Sequence, residues 1–459
     1  MSAAIGTAET HVGGTPGPRG TLLLGSMRDF QRDKLGFIRG LTRYGEVARY
    51  RTAHLVWYQI NHPEGVRRVL QENNRNYGKG SLTLSFLKPV VGEGLLTSEG
   101  PLWLRQRRLM QPVFHRRSVA AFATLMTDET LAMLDRWQPA MASERPIDVL
   151  AEMARLTLNV VTGALFHAHV GEEPEVLRRA ISTLVEDTGY RFEVPFYPPH
   201  RVPTPRNRRF RAALRAVDRA VYSIITERRR GDGDEEDLLA LLMGTRDEET
   251  GEVMNDRQLR DEVITLFLAG HETTANALAW ALYLLATHPE AEERLREELG
   301  EVLGAGCGVP TLEDLPGLAY TKMVVDETLR LYPPAWITNR QAIEEDEVLG
   351  HRIPAKSFVT LSPYVLHRHP DHWKDPDRFD PDRFVPGRAN GRPRFAYFPF
   401  GGGPRQCIGQ SMALVEAQLV LATVLSRCRL RLASDRPVEA QALATLRPRG
   451  GLPMTIEAA

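Results

Sequence analysis

The 459-residue chain contains 58 Lys and Arg residues and 58 Asp and Glu residues, so its formal net charge at pH 7 is zero. This balance argues against a chain-wide attraction to nucleic acid or to an anionic membrane. The three cysteines, Cys307, Cys407 and Cys428, include no Cys-x-x-Cys pair and support neither a disulfide framework nor a structural zinc site. Such low cysteine usage suits a reducing compartment, and we predict a cytoplasmic protein.

A chain of this length would ordinarily form about three domains, but no Ser/Gly-rich linker or abrupt change in composition interrupts it. We therefore predict one large domain over residues 21–459. Residues 1–20 are small, polar and rich in Pro and Gly, and we expect a disordered tail there. The apolar stretch Leu22–Leu24 is far too short to span a bilayer, which needs about 20 apolar residues. No membrane anchor is predicted.

The N-terminal half alternates between helical and extended patterns. Asp29–Tyr44 has the spacing of an amphipathic helix, and Ala48–Ile60 alternates as strands do. Asn73–Gly100 is irregular but carries several apolar side chains. Helical spacing then prevails until five prolines interrupt residues 190–209, and it resumes over Phe210–Arg230. We predict a helix, a long loop and a second helix in this region.

The C-terminal half contains the longest periodic segment of the chain. Asn255–Thr287 predicts one very long helix, and Pro289–Val302 and Tyr320–Leu331 predict two more. Short strands and turns are expected over Ala335–Leu361, followed by Pro-rich coil. The fold class predicted from these patterns is mostly α with a minor β region.

A Gly-rich string, Phe400-Gly-Gly-Gly-Pro-Arg-Gln-Cys-Ile-Gly409, ends that coil. Its glycines allow backbone conformations that are closed to other residues, and Pro404 stiffens the turn before Cys407. Helical spacing starts at Ile408, so we expect Cys407 at a helix start, where unpaired N–H groups and the helix dipole favour a thiolate. A cysteine in that position is either a nucleophile or a metal ligand.

The pattern Phe-x-x-Gly-x-Arg-x-Cys-x-Gly resembles the haem-thiolate loop of the cytochrome P450 family. This resemblance implies the cytochrome P450 fold, with haem b bound between the long helix and the helix after Cys407. It makes Cys407 the iron ligand and places Phe400 and Gly409 in the haem-binding loop. The alternative is a buried structural cysteine beside a Gly-rich turn.

A second motif, Ala269-Gly-His-Glu-Thr-Thr274, lies in the predicted long helix. Ala269, Gly270 and Thr273 share one stripe, and a mid-helix glycine costs about 1 kcal/mol, which suggests close approach of a planar group or a bound diatomic molecule. Glu272 beside Thr273 places an acid next to an alcohol, a pair suited to relaying protons. The motif resembles the oxygen-activation motif of the family. The alternative is an ordinary helix with a back-bonded threonine and an exposed glutamate.

Four further residues match haem-contacting positions of the family. Trp103 and Arg107, four residues apart on a predicted helix, match an element that contacts the haem propionates. Arg405 matches a second propionate partner and Arg340 a third. Arginine suits this role because its guanidinium can bond two carboxylate oxygens at once.

Glu327 and Arg330, three residues apart on a helix, can pair with each other. That spacing is common, but the order Glu327, Arg330 and Arg383 resembles the structural triad of the family. We assign these three residues to folding and haem retention, since a buried charge network would hold the approach to the cysteine loop.

The resemblance implies a monooxygenase that uses O2 and a lipophilic small-molecule substrate. The chain ends about fifty residues beyond Cys407, so we expect no fused reductase, and electrons would come from a ferredoxin and a ferredoxin reductase. The arginines near Trp103 are predicted to dock an acidic ferredoxin: Arg105, Arg108, Arg116 and Arg117. Two alternatives are a peroxide-driven or rearranging haem-thiolate enzyme and a non-catalytic haem sensor.

The predicted substrate pocket is nearly all apolar: Leu82, Leu84, Phe86, Leu87, Phe192, Val194, Phe196, Leu266 and Ala335–Thr338. Such a lining binds hydrocarbon surface and offers few groups to orient a charged ligand. With a loose resemblance to terpene-oxidising bacterial members, this favours a compact terpenoid. A fatty acid is the alternative, because Arg191 and Arg201 are candidate partners for its carboxylate.

Overall fold

The computed structural model of the chain describes residues 9–10, 14–80, 84, 87–166, 174–194, 197–230, 237–304, 308–388 and 391–458. The chain divides into two compact units. The first comprises residues 1–83 and 326–407, and the second comprises residues 84–325 and 408–459. The boundaries predicted for a single domain over residues 21–459 stay a prediction.

A five-stranded sheet forms the centre of the first unit. Its strands follow the order Val47–Thr52, Leu55–Ile60, Phe358–Leu361, Thr338–Ala342 and Tyr77–Gly78. All neighbours are antiparallel except Leu55–Ile60 and Phe358–Leu361, which run parallel. A cluster of buried side chains on these strands, including Ile60, Val359 and Leu361, forms the core of the unit. The strands predicted within Ala48–Ile60 and Ala335–Leu361 are confirmed.

The remaining elements of the first unit are short. Two further strand pairs join Glu9–Thr10 to Pro16–Gly17 and Asp346–Val348 to His351–Ile353. The helices and helical turns are Met27–Arg32, Lys34–Gly40, Leu41–Tyr44, Pro63–Arg67, Arg68–Glu72, Asn74–Asn76, Pro363–Leu366, Pro381–Phe384, Arg394–Ala396 and Gly403–Arg405. Ala319–Leu331 runs across the boundary between the two units.

The prediction of one helix over Asp29–Tyr44 is wrong, because the helix stops and restarts at Asp33. That residue has φ −149° and ψ 90°, and its carboxylate accepts a hydrogen bond from the N–H of Gly36 at 2.9 Å. It therefore acts as an N-cap inside an otherwise continuous amphipathic pattern. Two short helices and a 3-10 turn replace the single helix.

Part of the predicted tail is ordered. The Thr15 side chain is buried, with its Oγ1 3.2 Å from Nδ1 of His351. Gly17 lies so close to Arg49 that a Cβ would stand 1.7 Å from the Arg49 carbonyl oxygen. The disorder predicted for residues 1–20 is therefore wrong over residues 14–20, because packing against the first strand of the sheet holds that segment.

The second unit is mostly helical. Its helices are Lys88–Val91, Gly100–Met110, Arg116–Ala142, Val149–Phe166, Pro174–Glu193, Pro205–Arg230, Leu238–Gly244, Asp256–Thr287, Pro289–Leu303 and Gln410–Leu425, with a 3-10 turn at each of Gln111–Phe114 and Leu312–Asp314. Short strands complete it at Ile147–Asp148, Cys428–Leu432, Ala440–Ala442, Leu446–Pro448 and Pro453–Ala458. The mostly α fold class with a minor β region is confirmed.

The long helix, Asp256–Thr287, begins with a reciprocal cap. The Asn255 side chain accepts from the N–H of Gln258, whose side chain accepts from the N–H of Asn255. The helix packs against Val149–Phe166, where the Thr157 hydroxyl donates to the His271 carbonyl at 2.9 Å. In the described chain, Val149–Phe166 is also the one helix long and apolar enough to cross a membrane, although 56% of it is buried, as in a core helix.

Candidate active site

The loop that carries Cys407 is closed by backbone hydrogen bonds. The Cys407 N–H donates to the Phe400 carbonyl at 3.0 Å, and the Gly401 N–H donates to the Phe398 carbonyl at 2.9 Å. The Cys407 thiol is exposed. The loop therefore presents a sulfur outward from a backbone that is internally bonded.

Steric constraints explain why glycines occupy three positions of this loop. Gly401 and Gly403 have φ of +70° and +67°, a region that side-chain-bearing residues rarely adopt. A Cβ on Gly403 would lie 1.8 Å from the Leu70 carbonyl oxygen, and one on Gly402 would lie 2.3 Å from the Phe395 ring. The tight turn expected from the sequence thus depends on neighbouring chain segments as well as on backbone freedom.

The helix after Cys407 starts later than expected. Its first residue is Gln410, and Gly409 is its N-cap with φ −86° and ψ 12°. Cys407 therefore lies before the cap rather than in the first turn. Of the other thiols, Cys428 is buried, and this burial raises its pKa to about 12, whereas Cys307 lies outside the described residues. Cys407 is thus the exposed thiol of the described chain.

The structure brings Glu327, Arg330 and Arg383 together in the first unit. The Arg330 guanidinium donates twice to the Glu327 carboxylate, at 2.6 and 2.8 Å, and Nε of Arg383 lies 3.4 Å from that carboxylate. Burial raises the pKa of Glu327, opposed by hydrogen bonds from Arg330 and from the Asp380 N–H. Glu327 and Arg330 are fully buried, and the remaining N–H groups of the two arginines donate to backbone carbonyls of the segment that begins at His367.

This charge network reaches the cysteine loop through His367. Arg330 donates to the His367 carbonyl at 2.8 Å, and the His367 ring Nε2 accepts the Phe398 N–H at 2.9 Å. Full burial, with Arg330 and Arg368 nearby, holds the pKa of His367 well below its usual value, so the ring is a neutral acceptor. The sequence did not predict this role of His367, since nothing local marks the residue as buried.

On the long helix, the predicted acid and alcohol have separate partners. The Thr273 hydroxyl donates to the Ala269 carbonyl at 2.7 Å, whereas the Glu272 carboxylate accepts the Thr445 hydroxyl at 2.6 Å. Asn276 in turn donates to Thr445 at 3.0 Å. The sequence did not predict the contact of Thr445 with this motif, because Thr445 lies 173 positions from Glu272.

The stripe of the long helix that carries Ala269 and Thr273 is more exposed than the residues on either side of it. Ala269 is exposed and Thr273 is half-buried, whereas Phe267, His271 and Thr274 are buried. Burial also lowers the pKa of His271 to about 4, so this ring is neutral near pH 7. The motif therefore combines an exposed stripe with a buried, neutral His271 on its flank.

Gly270 faces the neighbouring helix Val149–Phe166. A Cβ at this position would meet Val161 Cγ2 at 3.4 Å, an ordinary contact that an alanine could make. Packing against that helix therefore does not require glycine here, and the close approach of a planar group or a diatomic molecule stays a prediction.

Trp103 and Arg107 lie on the helix Gly100–Met110, and both are half-buried. In the first unit, Arg340 is half-buried in the strand Thr338–Ala342, and its guanidinium donates to the Thr338 hydroxyl and the Asn339 carbonyl. Arg405 is half-buried in the turn Gly403–Arg405. The propionate contacts assigned to these four residues stay predictions.

The arginines predicted to dock a ferredoxin are partly engaged within the second unit. Arg105 pairs with Glu252 at 3.1 Å, and Arg108 pairs with Asp247 at 3.0 Å and also with Glu249. The side chains of Arg116 and Arg117 lie outside the described ones. Arg105 and Arg108 are thus neutralised locally, which weakens the predicted patch.

The loop between the helices Pro174–Glu193 and Pro205–Arg230 is fixed by buried polar groups. Arg191 donates to the Asp187 carboxylate at 2.5 Å and to the Asn207 Oδ1 at 2.6 Å. The Asn207 amide donates to the carbonyls of Pro199 and Val202. Because the Arg191 side chain is only 1% exposed and has these partners, the prediction that it receives a fatty-acid carboxylate is wrong.

The predicted pocket residues vary in exposure. Leu84, Leu87 and Val194 are half-buried, and Leu266 is nearly buried. Trp336 is fully buried in the first unit, so its side chain cannot line an open pocket. The other candidates, Leu82, Phe86 and Phe196, lie outside the described residues, as does the side chain of Phe192.

Comparison with protein-family models identifies the family to which the chain belongs. Residues 16–452 match the family model described as Cytochrome P450. The chain belongs to the cytochrome P450 family.

Curated relatives of the chain, and solved structures of other proteins that resemble it, agree with that assignment. The chain is 39% identical over 433 residues to cyclooctatin synthase of Streptomyces melanosporofaciens, covering 94% of this chain and 93% of that protein. It is 36% identical over 438 residues to pentalenene oxygenase of Streptomyces avermitilis, covering 95% of each. The crystal structure of the cytochrome P450DA heme domain matches with a TM-score of 0.83 and 26% identity, covering 94% of this chain and 93% of that chain.

This P450 is an oxygen-incorporating oxidoreductase, and haem is the cofactor of its family. The residues present fit such a group. Cys407 offers an exposed sulfur on a rigid loop, and a Cβ on Gly409 would meet nothing closer than the Phe114 ring at 4.0 Å, so protein packing does not explain that glycine. A sulfur donor for iron, with a small residue beside it where a planar group can approach closely, is compatible with haem.

Proposed function

We propose that this P450 is a monooxygenase that inserts one oxygen atom from O2 into a compact terpenoid-like molecule. The observation that carries the proposal is its similarity, over nearly the whole chain, to relatives named cyclooctatin synthase and pentalenene oxygenase. We place the enzyme in the cytoplasm, with haem b as its cofactor.

Cys407 would supply the thiolate that binds the haem iron, since it is the exposed thiol of the described chain. A thiolate-ligated haem favours O–O cleavage and supplies an oxidant for unactivated C–H bonds. Trp103, Arg107, Arg340 and Arg405 would hold the propionates, where each guanidinium can bond two oxygens. The triad Glu327, Arg330 and Arg383 would retain haem indirectly, by holding the cysteine loop through His367 and Phe398.

Protons would be handled by Thr273 and Glu272 on the long helix. Glu272 is held by the Thr445 hydroxyl, and Thr273 is bonded to the Ala269 carbonyl. For Thr273 to donate elsewhere, its hydroxyl must rotate away from Ala269, because it has one proton to give. Thr445 would act as a positioning residue, fixing the orientation of the Glu272 carboxylate.

The substrate preference gains support from Arg191. A fatty-acid hydroxylase would need a cation to bind the substrate carboxylate. Arg191 is buried and bonded to Asp187 and Asn207, so it is not available for that role. Arg201 remains exposed and keeps a fatty acid as the alternative substrate. The apolar character of the other candidate positions favours hydrocarbon over carboxylate recognition.

Electrons would come from a separate ferredoxin and ferredoxin reductase. The presence of both Glu272 and Thr273 argues against a peroxide-driven enzyme, which would not need a proton relay. A haem sensor would need neither residue. Turnover discriminates among these candidates, because only a monooxygenase would consume reduced nicotinamide through ferredoxin and form an oxygenated product in proportion.

The test of the substrate class is a titration of the holoenzyme followed by the haem spin state. Cyclic terpenes should displace the water ligand and give a saturable low-spin to high-spin shift. Medium-chain fatty acids should give a weaker shift or none. Saturable shifts with fatty acids alone would reverse the preference, and shifts only with strongly polar ligands would contradict the apolar pocket.

A further inference from the structure

The helix Pro205–Arg230 carries an unusual excess of positive charge. It contains nine arginines but only two acidic residues, Asp218 and Glu227. The whole chain has no net formal charge, so this excess is local. The arginines are Arg206, Arg208, Arg209, Arg211, Arg215, Arg219, Arg228, Arg229 and Arg230.

Several of these arginines have local carboxylate partners. Arg206 pairs with Asp187, Arg228 with Asp237 and Arg229 with Asp256. The two acids of the helix are also engaged, because Asp218 pairs with Arg260 at 2.6 Å and Glu227 accepts from the Ser223 hydroxyl. These pairs leave most of the remaining positive charge of the helix unneutralised.

The exposed arginines without an ion pair among the described residues are Arg208, Arg209, Arg215, Arg219 and Arg230. Four of them form a row, which we call the arginine ridge: Arg208, Arg215, Arg219 and Arg230. Their spacings of seven, four and eleven residues are close to two, one and three helical turns, so they share one side of the helix within about 60°.

The ridge lies opposite the buried face of the helix. Phe210, Val217, Val221 and Ile225 are buried, and at 100° per residue their mean direction is roughly 180° from that of the ridge. At 1.5 Å per residue the ridge extends about 33 Å. It therefore lies on the exposed side of the helix, away from its buried face.

Hydroxyl groups accompany the C-terminal part of the ridge. An open surface depression of about 690 Å³ is lined by residues of this helix alone, with Arg215, Arg219 and Arg230 beside the carboxylates of Asp218 and Glu227. Tyr222, Ser223 and Thr226 also line it. The Ser223 hydroxyl donates to Glu227 and the Thr226 hydroxyl to the Tyr222 carbonyl, so the guanidinium groups are the main donors that this surface offers to the phosphate oxygens of lipid headgroups.

We propose that the arginine ridge docks this P450 reversibly on an anionic lipid bilayer. A bilayer presents negative charge over a plane, which matches a row of cations about 33 Å long. A protein interface would want an apolar centre with aromatic anchors, and on this helix Tyr222 alone, 39% exposed, could serve. The docking is electrostatic rather than inserted, since the outer face lacks the large apolar side chains that inserted helices carry.

Docking would bring the enzyme to where a lipophilic substrate accumulates. That purpose rests on the proposed function, but the docking itself does not. Vesicle binding needs no substrate, so its failure and a failure of the terpene titrations can be told apart.

The test is co-sedimentation of the haem-loaded protein with vesicles. Vesicles containing phosphatidylglycerol should bind it, vesicles of phosphatidylcholine alone should not, and added sodium chloride should release it. The triple variant Arg208→Gln, Arg215→Gln, Arg219→Gln should bind on the order of a hundredfold more weakly. These side chains are exposed, so the variant should fold and keep its haem spectrum.

A matched control removes the same charge elsewhere. Arg145, Arg257 and Arg436 are also exposed, and their replacement by Gln should leave vesicle binding unchanged. Equal losses in both triple variants, or equal binding to neutral vesicles, would overturn the proposal. So would release by inorganic phosphate beyond the effect of its ionic strength, which would indicate a discrete phosphate site. Salt-sensitive binding to an acidic ferredoxin without vesicle binding would assign the ridge to a protein partner instead.

Discussion

Two irregular segments of this P450, each in a different unit, are fixed by opposite means. The cysteine loop is held by contacts with backbone, where the Leu70 carbonyl fills the space that a Gly403 side chain would need and the Phe400 carbonyl accepts from Cys407. The loop after Glu193 is held by buried polar side chains of the helices beside it, because Arg191, paired with Asp187, donates to the Pro198 carbonyl and Asn207 donates to the Val202 carbonyl. The cysteine loop therefore depends on glycines, which have no side chain, whereas the loop after Glu193 depends on charged side chains.

This difference has consequences for tolerance to substitution. A backbone-packed loop has no adjustable partner, so adding a single carbon atom is costly. A loop held by side-chain charges loses stability when one partner is removed, but a remaining partner can compensate in part. The cysteine loop should therefore be the more brittle of the two.

The largest effect is expected from Cys407→Ala, which tests what the backbone-packed loop is built to present. No other thiol of the described chain is exposed, so thiolate ligation should be lost completely. The reduced carbon monoxide complex should lose the red-shifted Soret band of thiolate-bound haem. Cys428→Ala is the control and should keep that band. Retention of the band by Cys407→Ala would refute the ligand assignment.

Gly403→Ala should destabilise the protein by about 3 to 4 kcal/mol, since it combines a left-handed φ with an overlap onto the Leu70 carbonyl. Gly401→Ala has a similar φ but no atom within 4 Å of the added carbon, and it should cost about 1 to 2 kcal/mol. Urea unfolding and haem content measure both. Equal losses would mean that backbone conformation, and not contact with Leu70, determines brittleness.

Arg191→Leu should cost about 2 to 3 kcal/mol, because Asn207 Oδ1 loses its donor while Asp187 keeps Arg206 as a partner. Arg201→Leu, on the same loop but exposed, should change unfolding by less than about 0.5 kcal/mol. The same urea unfolding transitions compare the two variants. A negligible loss for Arg191→Leu would remove the ion pair as the support of this loop.

The smallest effect on stability is expected from Thr273→Ala, whose half-buried hydroxyl bonds only its own helix. The ratio of product formed to reduced nicotinamide consumed should fall instead, because more of the reducing equivalents are lost as hydrogen peroxide. Thr445→Val should lower this ratio less, because it disturbs the orientation of Glu272 but leaves both relay residues. An unchanged product-to-nicotinamide ratio in Thr273→Ala would exclude that hydroxyl from proton delivery.

The sequence predicted features whose signals are local. The Gly-rich string around Cys407, the Asn255-capped long helix and the strands near Ala48–Ile60 each depend on neighbouring residues. The break at Asp33 was missed because a cap residue leaves the amphipathic pattern around it intact.

Other features depend on partners that are distant in sequence. The bond from Thr445 to Glu272 joins residues 173 positions apart. Arg191 reads as a surface residue until Asp187 and Asn207 are seen to bury it. His367 likewise gains its role only from the Phe398 N–H, 31 positions away. Polar groups that are buried by distant segments leave no periodic signal in the sequence.

The parallel pairing of Leu55–Ile60 with Phe358–Leu361 bears on how the chain is made. About 300 residues separate the two strands, so during synthesis the earlier strand must wait with one edge unpaired. The segment that ends at Cys407 is completed in the same late interval. On the ribosome, the first unit therefore cannot close before most of the second has been translated, and the waiting edge is the point where a stalled or truncated chain would aggregate.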